Sequence, residues 1–131
     1  VTAMIQINVA QPETYPLEIL KKVVGFTDNL KAYKQSILVF SKAQFCIGKQ
    51  SEVSKEFDSA IEAYDAAIKA DPAQTNARVS LANIYFARKD YLLAAPLYAT
   101  SNMIPRAKKC YKKTVDEFSD SDDENPDDIL D

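Results

Sequence analysis

Apolar and polar residues follow a helical period over most of the chain. The clearest stretch is 55–70, where apolar side chains recur every three or four residues and would form one stripe on a helix. That stripe consists of Phe57, Ala60, Ile61, Tyr64, Ala67 and Ile68. Similar spacing predicts further helices over 16–24, 74–88, 91–100 and 104–118, and either one helix or two in line over 30–47. We therefore expect an all-α fold.

Several residues mark where these helices should begin, end or bend. Gly25 should end the first helix, and Thr27 and Asp28 carry side-chain oxygens that suit the N-cap of the second. Pro96 lies inside the fifth predicted helix and removes one backbone hydrogen bond, so we expect a kink there. Residues 1–9 are compatible with a strand or with the last turns of a helix, of which we favour the helix end.

Part of this pattern occurs twice, at a constant offset of 34 residues. The corresponding pairs include Gly48 and Ala82, Phe57 and Tyr91, Ala60 and Ala94, and Tyr64 and Tyr98. Repetition at this period is typical of helical arrays. These residues resemble the tetratricopeptide repeat (TPR) family, with matching units at about 41–74 and 75–106. In the second unit, Ser101 replaces a small residue of the family pattern and Pro105 comes one position early.

The resemblance implies an α-solenoid, a right-handed superhelix of antiparallel helix pairs. In that family the first helices of successive units line a concave groove that accepts a peptide or a partner helix. The groove positions would be Lys42, Phe45, Lys49 and Val53 in the first unit and Asn76, Val79, Asn83 and Phe86 in the second. Some members hold the C-terminal carboxylate of heat-shock chaperones. Here Phe45, Lys49 and Ser80 replace residues that such a clamp requires, which favours another kind of partner.

Composition and charge agree with a helical domain followed by an acidic tail. Of the 131 residues, 47% are apolar, which is enough to bury a core, and two glycines leave little material for β-hairpin turns. We expect a short helical segment at 1–27, the repeat domain at 28–118 and the acidic tail at 119–131. The net charge of −3 gives no indication of direct nucleic-acid binding. The lysines at 108, 109, 112 and 113 could contact nucleic acid or lipid, but we favour a solvated helix face that the tail neutralises.

The sequence lacks the residue patterns that catalysis or cofactor binding requires. It contains no histidine, and Cys46 and Cys110 lack neighbours that would activate a thiol or complete a metal site. The pair Glu62 and Asp65 is typical of a solvated helix surface, and no phosphate-binding glycine motif occurs. No apolar run is long enough to span a membrane. We therefore expect no enzyme activity, cofactor, metal site or small-molecule substrate.

Function should then consist of protein contacts. We expect a non-catalytic scaffold subunit of a larger eukaryotic complex, located in the cytoplasm or nucleus, whose groove binds a segment of another subunit. The alternative is a chaperone or transport adaptor that shields a basic client with the acidic tail. Within the tail, Ser119 and Ser121 each precede an acidic residue by three positions. Acid-directed kinases select that pattern, so both are candidate phosphorylation sites.

Overall fold

The computed structural model describes residues 6–30 and 33–122, with side chains up to Phe118. Within these ranges the chain forms six α-helices and no strand, which confirms the all-α prediction for the described residues. The helices are α1 (Leu17–Asp28), α2 (Lys34–Val53), α3 (Phe57–Ala70), α4 (Thr75–Ala87), α5 (Tyr91–Thr100) and α6 (Ile104–Asp122). None of the helices in this part of the chain is long and apolar enough to cross a bilayer.

The chain divides into two compact units, Val1–Ala77 and Arg78–Asp131, which are described separately. In the first unit, α2 packs against both α1 and α3. In the second unit, α5 packs on α6, and both share a core with the part of α4 that follows Ala77. Each unit therefore has a core of its own.

Small residues allow α2 and α3 to pack closely in the first unit. Ala60 and Ala67 on α3 and Cys46 on α2 are fully buried, as is the large side chain of Tyr64. The ring of Tyr64 lies against Phe45, with the ring centroids 5.8 Å apart. Burial of one large apolar side chain such as Phe45 contributes about 1.5–3 kcal/mol to stability. The aromatic pair is therefore one of the contacts that hold these two helices together.

Buried hydrogen bonds tie the ends of the first unit to α2. The Ser41 hydroxyl donates to the carbonyl oxygen of Ala67 at 2.8 Å, and the Gln74 amide donates to the Ser41 oxygen at 2.9 Å. Near the other end of α2, the Gln50 amide donates to the carbonyl oxygen of Tyr15 at 2.7 Å. Because buried polar groups are costly without partners, these bonds fix where the flanking segments lie.

The turns after α2, α4 and α5 share one backbone geometry. Their central residues Lys55, Lys89 and Asn102 have φ angles of 61°, 66° and 64°. In each turn this residue donates to the carbonyl three positions back and its successor donates to the carbonyl five positions back, at 2.8–3.1 Å. These are the bonds of the Schellman motif, which satisfies carbonyl groups left over at a helix C-terminus. Lys55 and Lys89 are also 34 residues apart, so the sequence repeat is accompanied by a backbone repeat.

The second unit has a core built from alanine, tyrosine and cysteine side chains of three helices. It consists of Ala82, Tyr91, Ala94, Ala95, Tyr98, Ala107 and Cys110. Phe86 packs edge-to-face on Tyr91, with the ring centroids 5.2 Å apart. α5 is helical on both sides of Pro96, which is exposed. The kink at Pro96 stays a prediction.

The structure corrects three boundaries expected near the N-terminus. α1 continues through Gly25 and ends at Asp28, since Gly25 has a helical backbone and no close neighbour that would require a turn. Thr27 does not cap α2, because its hydroxyl donates to the Val23 carbonyl at 2.7 Å within α1. Residues 6–9 form no helix, so the expected helix end is wrong there, while residues 1–5 lie outside the described residues.

α6 extends further than the apolar spacing predicts. Its backbone remains helical to Asp122, through the first four residues of the predicted tail. Neither glycine nor proline interrupts the sequence before Pro126, so no strong stop signal is present. The candidate phosphorylation sites Ser119 and Ser121 therefore lie in the last turns of α6. The rest of the predicted tail, 123–131, lies outside the described residues.

Candidate functional site

A cleft in the second unit contains two of the predicted groove residues. Its volume is about 330 Å³, and it is lined by Asn83, Phe86 and Ala87 from α4, Tyr98 from α5, and Arg106 and Lys109 from α6. Asn83 and Phe86 are three positions apart on α4 and therefore lie on one face of that helix. Arg106 and Lys109 have the same spacing on α6. The cleft thus combines a face of α4 with a basic face of α6.

Tyr98 fixes the position of Asn83 at the cleft. The Tyr98 hydroxyl donates to Oδ1 of Asn83 at 2.5 Å, and Nη1 of Arg106 donates to the same oxygen at 3.4 Å. Tyr98 is only 2% exposed, so Asn83 supplies the acceptor that its buried hydroxyl needs. Because Oδ1 already accepts two hydrogen bonds, Asn83 can bind a ligand chiefly through its amide nitrogen, as a donor.

Cations from α6 lie over the aromatic rings of the second unit. The pairs are Arg106 over Tyr98, Lys109 over Phe86 and Lys113 over Tyr91, each with its charged group 5.7–5.8 Å from the ring centroid. At such distances a cation is attracted by the negative face of the ring. Two of these cations also line the cleft, whose wall is therefore both basic and aromatic.

Burial keeps the neighbouring titratable groups neutral. It raises the pKa of the Tyr98 phenol above its ordinary value, although the Arg106 guanidinium beside it acts in the opposite direction. Burial likewise raises the pKa of the Cys110 thiol, against the opposing effect of the Lys109 charge. Both groups stay protonated at neutral pH and add no negative charge. The charge at the cleft is therefore that of Arg106 and Lys109.

The other predicted groove residues have different environments. Phe45 is 3% exposed and belongs to the core, where it meets Tyr64. Nζ of Lys49 lies 5.8 Å from the centroid of the Phe45 ring and forms an ion pair with Glu52 at 3.6 Å. The exposed predicted residues are Lys42 and Val53 on α2 and Asn76 on α4, while Val79 on α4 is half-buried. A single groove that includes both units stays a prediction.

Sequence reasoning missed four residues that line the cleft. They are Ala87, Tyr98, Arg106 and Lys109. Lys108 and Lys112 are exposed as expected for a solvated face, but Lys109 and Lys113 lie over aromatic rings. Spacing separates the two sets, because Arg106, Lys109 and Lys113 recur at three and four positions. That face also carries the fully buried Cys110, which marks it as the side of α6 that packs.

Neither cysteine side chain has the properties of a nucleophile or of a metal ligand. Cys46 and Cys110 are free thiols, and both are buried. Burial raises the pKa of the Cys46 thiol from 9.0 to about 11. A thiol that stays protonated at neutral pH is a poor nucleophile and a poor metal ligand. Among the described residues, no three His, Cys, Asp or Glu side chains are grouped so that they would hold a metal ion.

Comparisons with known proteins provide no assignment. No protein-family model, no curated protein and no solved structure matches the chain. The resemblance to TPR units therefore depends on the repeated residues themselves.

Proposed function

We propose that this chain is a non-catalytic protein-interaction module of the TPR type, a scaffold subunit of a larger complex in the cytoplasm or nucleus. The observation that carries the proposal is the cleft of the second unit. Asn83 and Phe86 occupy positions at which a repeat of this kind would face its ligand, and both line that cleft. A concave site between helices, with few polar groups held in place, suits a short segment of a partner.

An exposed apolar stripe on α6 supports the same proposal. Tyr111, Val115 and Phe118 are spaced by four and three positions, and they are 50%, 39% and 71% exposed. Apolar side chains at this spacing on one helix face form a surface that another helix can cover. In a subunit of a larger complex, such a surface would contact another subunit.

Blocking the cleft tests the proposal. Ala87 is exposed, lines the cleft and is the last residue of α4, so Ala87→Phe adds a bulky ring to the cleft without replacing a core residue. Asn83→Ala is less suitable, because it would also remove the acceptor of the buried Tyr98 hydroxyl. The matched control is Ala73→Phe, which adds the same ring to an exposed alanine in the turn before α4.

The measurement is capture of partner proteins by the full chain from an extract of its source cells. We expect the Ala87→Phe chain to lose proteins that the unchanged chain and the Ala73→Phe chain both retain. Circular dichroism should show equal helix content in all three chains. If the Ala87→Phe chain captures the same proteins as the control, the cleft is not a partner site and the proposal is wrong.

A further inference from the structure

We infer that the partner segment bound in the cleft is acidic, with a carboxylate between Arg106 and Lys109 and a neighbouring apolar side chain on Phe86. The inference rests on the proposed function and adds the chemistry of the ligand. The occupant is a segment of another protein.

Donors dominate the polar groups of the cleft. The Asn83 oxygen already accepts from Tyr98 and Arg106, which leaves the amide nitrogen of Asn83 to donate. Arg106 and Lys109 are donors only, because neither a guanidinium nor an ammonium group has an acceptor. A ligand that satisfies this set must supply acceptors. A carboxylate offers two oxygens and the opposite charge, and its hydrogen bonds with guanidinium are among the strongest in proteins.

The cations of the cleft have no carboxylate partner within the described part of the chain. Lys49 and Lys69, in contrast, form ion pairs with Glu52 and Asp65. Among the described residues, Arg106 and Lys109 contact Asn83 and aromatic rings, and none of these groups carries a negative charge. Charge complementarity with a partner would supply the missing anion and would guide its approach.

The lining also has an apolar part, which a carboxylate alone would not contact. Phe86 and Ala87 stand beside the donors, and the cleft volume of about 330 Å³ is at the lower end of the range for ligand sites. A short peptide in which Asp or Glu is adjacent to an apolar residue would meet both the donors and the ring of Phe86. Such a segment uses the whole cleft, whereas a free inorganic anion would use its charge only.

Single-stranded nucleic acid is the competing ligand for a basic, aromatic cleft, since bases stack on open rings. Tyr98 is buried, so its ring cannot stack on a base. Phe86 is half-buried and Lys109 lies over its ring, so these two residues form no open platform for stacked bases, whereas a small apolar side chain needs contact with only part of the Phe86 ring. Two cations would also neutralise few phosphates, and the net charge of the chain is −3. The observations favour the acidic peptide.

The test measures binding of labelled probes to the full chain by fluorescence anisotropy. The probe is a synthetic peptide in which Asp and Glu residues flank one Leu, and its counterpart carries Asn and Gln at the acidic positions. We expect the acidic peptide to bind at least about tenfold more tightly than the amide peptide at low salt. Raising the salt concentration should reduce that difference, since neither cation of the cleft is deeply buried.

Two double variants localise the interaction. Arg106→Gln with Lys109→Gln removes the cleft cations, and we expect affinity for the acidic peptide to fall about tenfold. Lys108→Gln with Lys112→Gln removes the same charge from exposed positions of α6 outside the cleft lining, and its affinity should stay within about twofold. If the two double variants lose affinity equally, binding depends on the overall positive charge of α6 and not on the cleft, and the inference is wrong.

Three other outcomes would also overturn it. One is equal binding of the acidic and amide peptides, and a second is tighter binding of a single-stranded oligonucleotide. The third is binding of a peptide with the sequence of residues 123–131 when the synthetic acidic peptide does not bind, which would assign the cleft to the chain's own acidic segment. If Ala87→Phe still abolishes partner capture, the proposed function stands whichever of these three outcomes is found. Failure of the inference can therefore be distinguished from failure of the proposed function.

Discussion

A methyl group added to Gly48 on α2 would lie 2.5 Å from Cε1 of the Tyr64 ring on α3. Carbon atoms in van der Waals contact are about 3.5–4.0 Å apart, so the ring occupies space that every other residue type would need at position 48. Tyr64 cannot easily move away, because it is fully buried, packs on Phe45 and donates a short hydrogen bond to Glu52. The glycine is therefore required by its neighbour and not by its own backbone, which is helical.

Replacing Gly48 with alanine should destabilise the first unit. Gly48→Ala would force the Tyr64 ring or the spacing of α2 and α3 to change, and overpacking of this kind costs about 1–3 kcal/mol. Urea unfolding followed by circular dichroism measures the change. Gly25→Ala is the matched control, because an added methyl there meets nothing within 4 Å. The control should raise the free energy of unfolding by about 0.5–1 kcal/mol, since alanine favours a helix interior. Equal stabilisation by both substitutions would contradict the contact.

The left-handed turn residues predict an unusual response to glycine. Lys89 has a φ angle of 66°, a region that costs an L-residue about 1–2 kcal/mol and glycine almost nothing. We therefore expect Lys89→Gly to raise the free energy of unfolding by about 0.5–1 kcal/mol. Glu62→Gly, at an exposed position inside α3, should lower it by about 1 kcal/mol. If both glycines destabilise the chain alike, the turn after α4 does not have the geometry described.

Alkaline pH should destabilise the fold through Cys46. Because burial holds the pKa of this thiol at about 11, against 9.0 when it is solvated, the unfolded chain loses the proton first. The stabilising contribution is complete below pH 9 and is lost as the pH rises from about 9 to about 11. A pKa difference of this size corresponds to at most about 3 kcal/mol.

The pH dependence is measured as the free energy of unfolding of the unchanged chain and of Cys46→Ser at about pH 7.5, 9 and 10.5. Serine removes the titrating group with little change in volume, and the repeat itself has Ser80 at the equivalent position. We expect the variant to lose less stability across this range, because other titrating groups are common to both chains. Parallel pH profiles would show that the Cys46 thiol ionises equally in the folded and unfolded states.

Deleting residues 123–131 distinguishes the two function hypotheses. The deletion removes five carboxylate side chains and leaves every described residue in place. If a partner segment binds in the cleft, the deletion should leave its affinity unchanged or increase it, because a competing source of carboxylates on the same chain is gone. If the acidic tail shields a basic client, the deletion should abolish binding at low salt. Titration calorimetry with a captured partner, at low and high salt, gives the answer.

Most of the helices were predictable because apolar residues at helical spacing in the sequence also supply the core. The pattern over 55–70 identified α3, and the pattern over 91–100 coincides with α5. The end of α1 was not predictable from Gly25, since glycine stops a helix only where the backbone turns left-handed. At the ends of α2 and α4 that conformation is adopted by Lys55 and Lys89 instead, and no local preference of lysine indicates it.

The site was only partly predictable, because helix register specifies a face and not what covers it. The resemblance to TPR units implied that Asn83 and Phe86 are groove residues of α4, and both line the cleft. The same resemblance implied that Phe45 is a groove residue, but the Tyr64 ring packs on it. Arg106 was missed because its spacing with Lys109 identifies a face of α6 but not that this face lies beside α4, which is a tertiary relationship.

The turn at Asn102 ends α5 about one helical turn before the 34-residue period would, whereas α3 continues through the corresponding position. The next helix, α6, therefore starts five residues before the position that lies 34 residues after the start of α4. Five residues correspond to a rotation of about 140° around a helix axis, so a different set of side chains turns inward. An alignment with a constant period would match Arg106 with Pro72 and Lys109 with Thr75, neither of which is basic. An alignment of the repeats can therefore identify Arg106 and Lys109 only if it permits a shift of register between α5 and α6.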